Sequence, residues 1–225
     1  MQFYISPILI SIKVAIFATV VTFFLGITVA YKMFNYSGKM KNMLDGLFTM
    51  PIVLPPTVLG YLLLLMLGRN GFIGKILSIF DISIIFTWYA AVIVATLVAL
   101  RLMYKTTKSA FEQIDINIFE EVRTLGVSDW IIFWKIIIPL AWPGIIAGTV
   151  LTFMRILGEF GATLMVAGNI PGKTQTIPIA IFFATEVGER EKALILILLI
   201  LVLSYSVIFV MNYLNNCVDK FKLTN

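Results

Sequence analysis

Two charges lie inside an apolar run, where charge is costly. Arg155 and Glu159, in Arg155-Ile-Leu-Gly158-Glu159-Phe-Gly161-Ala-Thr163, are four residues apart, the spacing that puts side chains together on one helical face. Either one alone at the centre of a bilayer costs about 2.5 to 3.5 kcal/mol, so the two are expected to pair. Such a pair could stitch neighbouring helices together, line or gate the path of a solute, or form the polar heart of an intramembrane enzyme or channel. Gly158 and Gly161 permit close helix approach, which serves packing as much as passage.

A second stretch with chemical potential is Ala167-Gly-Asn-Ile-Pro-Gly172-Lys173-Thr174. It fits the looser form of a phosphate-binding loop, with Ala in place of the first Gly. It follows an apolar run instead of a strand, however, and no βαβ unit surrounds it. An ordered turn is the better expectation, followed by Thr176-Ile-Pro178-Ile-Ala-Ile-Phe-Phe, a half-buried segment too short to span a bilayer.

Other chemistries are excluded by what the chain lacks. With no histidine and one cysteine, Cys217, it cannot by itself build a usual zinc or iron site or an intrachain disulfide, and no metal or cofactor is expected. Of its 225 residues 60% are hydrophobic, and the mean hydropathy is +1.00. That is the composition of a membrane protein. Most of the 17 basic and 12 acidic residues cluster between apolar runs, so the net charge of +5 reports topology and not a nucleic-acid footprint. The first seven residues are uncharged and lack the basic region that precedes a cleavable signal core.

These residues must be positioned by spanning helices, each of about 20 apolar residues. Five stretches qualify: 8–31, 46–67, 84–104, 144–167 and 193–214. The second contains Thr49-Met-Pro51-Ile-Val-Leu-Pro55-Pro56-Thr57, whose prolines remove backbone donors. It is expected either to kink or to break, and broken backbone at membrane depth is tolerated where it packs in protein or lines a watery cavity. Pro55, Pro56 and Thr57 therefore join Arg155 and Glu159 as candidates for a path or gate. Lys13, near the outer end of the first span, is expected to snorkel to the headgroups.

The loops set the orientation. Lys32, Lys39, Lys41, Arg101, Lys105, Lys108, Arg123, Lys135, Lys220 and Lys222 fall on one side, and Arg69, Lys75, Lys173, Arg190 and Lys192 on the other. By the positive-inside rule the richer side is cytoplasmic, with the N-terminus outside and the C-terminus inside. The loop 168–192 is then external.

The longest loop, 105–143, holds a polar island at 111–139. Ile114, Ile118, Val122 and Leu125 fall on one face of an expected short helix. Gly126 ends it in a sharp turn, Ser128 is placed to cap a second short helix from Asp129, and Pro139 closes the unit. Periodicity alone would also suit an amphipathic loop lying on a membrane surface.

Spacing says more. Glu120, two residues, Arg123, Gly126, nine residues, Ile136, one residue, Ile138-Pro139 resembles the cytoplasmic loop signature of ABC importer permeases. Glu121 and Val122 replace that pattern's two alanines, and Ile138 its leucine. Leu54-Pro-Pro-Thr-Val-Leu-Gly-Tyr61 is similar to the molybdate-type permeases, and Gly158-Glu-Phe-Gly-Ala-Thr163 resembles the oxyanion branch covering molybdate, tungstate and sulfate. Arg101 stands near where that family commonly has a proline at the end of its third span.

The resemblance implies an all-α, polytopic membrane domain of the type I ABC importer kind over residues 1–225, in the cell membrane, with five transmembrane helices. It implies that the loop is a coupling helix docking on a separate ATPase, with Glu120, Glu121, Arg123, Gly126 and Pro139 transmitting motion and no ATPase site of its own. A homodimer, two ATPase subunits and an extracellular or periplasmic oxyanion-binding protein would complete the importer. Molybdate is the first expectation for its cargo and tungstate or sulfate the runner-up. The rival class is an ATP-independent channel or intramembrane enzyme.

Overall fold

The computed structural model describes residues 2–36, 38–115, 122 and 124–223. Among these residues every regular element is helical, and nine helices carry the fold: α1 Gln2–Asn35, α2 Lys41–Val53, α3 Pro56–Leu67, α4 Phe72–Ser78, α5 Trp88–Glu112, α6 Asp129–Leu157, α7 Gly161–Ala167, α8 Ile177–Glu186 and α9 Arg190–Leu223. Within these helices, the segments Ile5–Asn35, Trp88–Glu112, Asp129–Leu157 and Arg190–Phe209 are long and apolar enough to cross a membrane. Helices α3 and α4, bent by 41° at the break between them, pass the same test together.

Small residues explain why α1 and α5 form the centre. Ser11, Ala15, Ala18, Thr22, Gly26 and Ala30 recur every three or four residues down one side of α1 and are buried. They meet Ala91, Ala95, Ala99 and Met103 of α5, also buried. In lipid there is no hydrophobic drive between helices, so a stripe of small side chains gives association through close packing. The approach is tightest at Gly26, where a Cβ would stand 2.5 Å from Met103 Cγ. The opposite side of α1 exposes Ile16, Phe17, Val20, Val21, Phe24 and Leu25.

Helix α6 lies along the other side of α5, with Gly144 against Ala110 and Gly148 against Thr106. Two apolar clusters result. One joins α1, α3, α5 and α7 around Val14, Leu63, Val94, Val98 and Val166, and the other gathers Met33, Tyr104, Phe111, Phe133 and Ile145 nearer the polar loop.

Several helices run differently from the expected spans. The stretch 46–67 is two helices, separated by the extended residues Leu54 (φ −70°, ψ 136°) and Pro55 (φ −52°, ψ 138°). The stretch 144–167 divides at 158–160, and its helix begins instead at Asp129. Pro139 does not close the preceding unit, because the helix passes straight through it. A π-helical turn over Phe133–Ile137 widens the backbone just ahead, and Pro139 enters the next turn where its missing N–H is tolerated. Ser128 holds the N-cap position before Asp129, but its carbonyl and not its hydroxyl accepts there, from Ile131 and Ile132.

Candidate functional site

The two interruptions meet. Helix α3 starts after Leu54-Pro55, where neither Pro55 nor Pro56 has an N–H to continue a helical ladder. Helix α7 starts after Gly158-Glu159-Phe160. At the junction, Pro56 Cβ is 3.3 Å from where a Cβ on Gly161 would stand, and Thr57 Cγ2 is 3.9 Å from it. One turn further on, a Cβ on Gly60 would lie 2.9 Å from both Ala162 Cα and Met165 Cβ. Glycine is required at position 60 because backbone occupies that space. Pro55, Pro56 and Thr57 themselves are exposed, although Pro56 and Thr57 also touch α7.

The second interruption is braced by the ion pair. Arg155 Nη1 lies 2.8 Å from Glu159 Oε2, while Glu159 Oε1 accepts from the amide of Ala162 at 3.2 Å. The pair thus reaches from the last turn of α6 across the break to the first turn of α7. The Glu159 side chain is 3% exposed and that of Arg155 30%, so the carboxylate is inside and the guanidinium reaches the bundle surface. A small cavity of about 10 Å³ beside it is lined by Ser11, Glu159, Thr163 and Thr176 among apolar groups.

The phosphate-loop look-alike is a closed turn. The amides of Lys173, Thr174 and Gln175 all donate to the Ile170 carbonyl. Thr174 Oγ1 accepts from the Ile170 amide at 3.1 Å and donates to Gly168 O at 3.3 Å, and Gln175 Nε2 donates to Asn169 Oδ1 at 2.8 Å. Donors engaged in this way do not cradle a phosphate. The Lys13 amine sits 3.7 Å from the centroid of the Trp88 ring, a cation–π contact.

At the polar loop, Glu120, Glu121 and Arg123 lie outside the described residues, as do Ile116, Asn117, Ile118 and Phe119 of the expected first short helix. Gly126 is in the left-handed region at φ +76°, and among the described residues beyond its chain neighbours nothing stands within 4 Å of the position of a side chain. Leu125, Trp130, Ile131 and Trp134 stand exposed beside it, Leu125 by 79% and Trp130 by 70%. Trp130 and Trp134 pack edge to face at 5.7 Å, and Phe133 between them turns inward against Tyr31 at 4.3 Å. Sequence reasoning passed over this apolar knob, although three aromatics within five residues of a polar loop were its signal.

It also passed over a partly buried polar cluster where α2 meets α5. Lys108 Nζ lies 2.8 Å from Asp45 Oδ2 and 3.9 Å from Glu112 Oε1, and Lys105 Nζ lies 3.7 Å from Asp45 Oδ2. The Tyr104 hydroxyl donates to Asp45 Oδ1. Burial by itself would raise the Asp45 pKa, but the hydrogen bonds from Lys108 and Tyr104 and the charges of Lys108 and Lys105 outweigh it and hold this carboxyl below its usual range. Partners 63 residues apart leave no local pattern.

Residues 22–220 match the family described as the binding-protein-dependent transport system inner membrane component. The chain is 42% identical over 207 residues to the putative molybdenum transport system permease protein YvgM of Bacillus subtilis (strain 168), covering 92% of this chain and 91% of that one. It is 40% identical over 218 residues to the molybdenum transport system permease protein ModB of Haemophilus influenzae, covering 96% and 95%. A solved structure of the MetNI methionine ABC transporter in inward facing conformations is similar with a TM-score of 0.77 at 16% identity, over 97% of both chains. At that identity the likeness shows the fold.

Proposed function

Since the chain belongs to the family of inner membrane components of binding-protein-dependent transport systems, we propose that it is the membrane-spanning permease subunit of an ATP-driven importer whose cargo is molybdate. It is a multi-pass membrane protein, and ATP is hydrolysed by a separate subunit. The observation that carries the cargo is the relationship at 42% and 40% identity, along more than nine-tenths of each chain, to proteins named for molybdenum transport. Tungstate or sulfate is the runner-up.

The assembly is a homodimer with the path between two copies, served by two ATPase subunits and an oxyanion-binding protein outside the cell. Five spans are too few to enclose a path alone, and the Pro55–Pro56–Thr57 edge is exposed in the single chain, as a path shared with a second copy requires. Ten basic residues against five orient the loop 105–143 to the cytoplasm, the N-terminus outside and the C-terminus inside.

Gly126 makes the bend that presents Leu125, Trp130 and Trp134 to the ATPase, with Glu120, Glu121 and Arg123 on the same loop. Pro139 and its π turn carry the displacement into α6. The transmembrane end of that movement is the junction of the two interruptions, where Pro56 and Gly161 touch and Arg155 and Glu159 keep the second break in shape. Alternating access then follows from tilting about existing breaks, without unwinding a regular helix. The Arg155 guanidinium is committed to Glu159, so anion selectivity falls to the binding protein.

The test is uptake of labelled molybdate into proteoliposomes containing this chain, its cognate ATPase and the binding protein. Uptake should need both partners and ATP. Flux through the chain alone, or ATP-driven uptake of sulfate but not molybdate, would displace this reading in favour of the rival class or the runner-up.

A further inference from the structure

Displacement of the loop after α5 reaches the last turns of that helix first, because α5 ends at Glu112 and the loop follows directly. Tyr104, Lys108 and Glu112 are spaced by four on one face of those turns, and Lys105 is beside them. Both oxygens of one carboxylate, Asp45 on α2, are held by this face: Lys108 Nζ at 2.8 Å and Lys105 Nζ at 3.7 Å on Oδ2, and the Tyr104 hydroxyl on Oδ1. The Lys108 side chain is 9% exposed and Tyr104 is fully buried, so these two contacts are shielded on one side, while Asp45 keeps 22% exposure and Lys105 48%. Charge-assisted hydrogen bonds out of water are short, directional and slow to exchange partners.

Among the described side chains of α2, few others are packed. Leu44 and Phe48, flanking Asp45 on the same edge, pack into the cluster around Tyr104, with the Phe48 and Tyr104 rings 5.7 Å apart. Met43, Leu47, Met50 and Val53 are all exposed by more than half. Asp45 is the helix's sole acidic residue, near its start, and Val53 at its end is about 12 Å away at 1.5 Å per residue. Beyond Val53 come the extended Leu54 and Pro55, where the helical ladder is interrupted, and then Pro56 against Gly161. A helix gripped near one end and interrupted at the other is a lever.

We propose that the contact of Asp45 with Lys108 and Tyr104 is the joint through which movement of the 105–143 loop is delivered to the Pro55 interruption, with Asp45 as a positioning residue. The proposal rests on the reading of the chain as an ATP-driven permease. The joint stays closed throughout the cycle, so that α2 and the end of α5 travel together. A tether that served stability alone could be weakened without changing how much cargo moves per ATP.

The experiment uses the complete transporter in proteoliposomes with its cognate ATPase and binding protein, and reads molybdate uptake, ATP hydrolysis and thermal stability together. D45N should lower uptake per ATP about tenfold, within the usual range of coupling between sites, while hydrolysis persists. In a C217S background, D45C with K108C joined by a flexible dithiol-reactive linker as long as the lost side chains should regain coupled uptake, since a joint that never opens tolerates a covalent bond. Uptake per ATP unchanged in D45N overturns the proposal, and so does a linked double variant that remains uncoupled. If D45N fails to assemble, the linked variant decides alone. Absence of ATP-driven uptake in the unmodified complex would instead refute the permease reading.

Discussion

Pro56 and Gly161 touch across two interruptions in different parts of the chain, with 3.3 Å between the proline Cβ and the place where a glycine side chain would begin. The neighbouring contact, at Gly60, is closer and is made with backbone. Together they make the interface of α3 and α7 intolerant of added volume. G60A should therefore lower stability by about 1–3 kcal/mol, because Ala162 Cα cannot move aside without its helix. G161A needs a shift of only a few tenths of an ångström from Pro56 and should be mild, whereas G161V should cut ATP-driven uptake. Thermal unfolding in detergent and uptake assays on the same preparations separate the two effects.

The Arg155–Glu159 pair makes an asymmetric prediction. Removing the cation leaves a carboxylate that is 3% exposed without its partner, while removing the carboxylate leaves a guanidinium that already reaches the surface. R155M should thus cost about 3–5 kcal/mol, as orphaning a buried charge usually does. E159Q, which keeps an acceptor for the Ala162 amide, should cost roughly half as much or less on the same grounds. Equal losses in thermal unfolding experiments would show that the pair is not buried from one side.

At Gly126 the requirement is conformational, since φ is +76° and, among the described residues beyond its chain neighbours, nothing lies within 4 Å of an added Cβ. A β-branched residue there costs about 1–2 kcal/mol for the left-handed region, and Asn costs less. G126V should uncouple ATP hydrolysis from uptake while the protein stays in the membrane, and G126N should retain most of the uptake. Equal loss in both would mean that the surface at this position matters, and not the bend.

Asp45 gives a pH dependence with a definite sign. Its carboxyl is held below the ordinary range, so the folded chain binds that proton less readily than the unfolded chain, in which an aspartate titrates near about 3.9. The stabilisation is complete above that pH and is lost as pH falls through the folded-state value. The stability difference between the unmodified protein and D45N, followed by thermal unfolding, should be constant above about pH 5 and shrink below about pH 4. A difference that grew on acidification would contradict the assigned contacts.

Composition and local spacing were enough for the class of molecule, because a chain that is 60% hydrophobic with most of its charges between apolar runs has no soluble way to bury itself. They were enough to mark Pro55-Pro56 as a kink or a break, since a missing N–H acts within one turn, though only the folded chain decided for the break, and they were enough for the Arg155–Glu159 pair, since four residues is one helical repeat. The left-handed turn at Gly126 was readable for the same reason. What could not be read depended on how helices lie against one another. Whether Pro139 ends a helix or is absorbed by a π turn is a balance between local strain and the packing of Phe133 and Ile137, and packing prevailed. Gly158 and Gly161 read equally as serving packing or passage until α3 is seen to occupy the space beside Gly161. Lys13 found the Trp88 ring, and Asp45 found Lys108 and Tyr104, through the register of helices far apart in the chain. Such contacts arise from the sum of many weak packing choices, none of which is marked by any one residue.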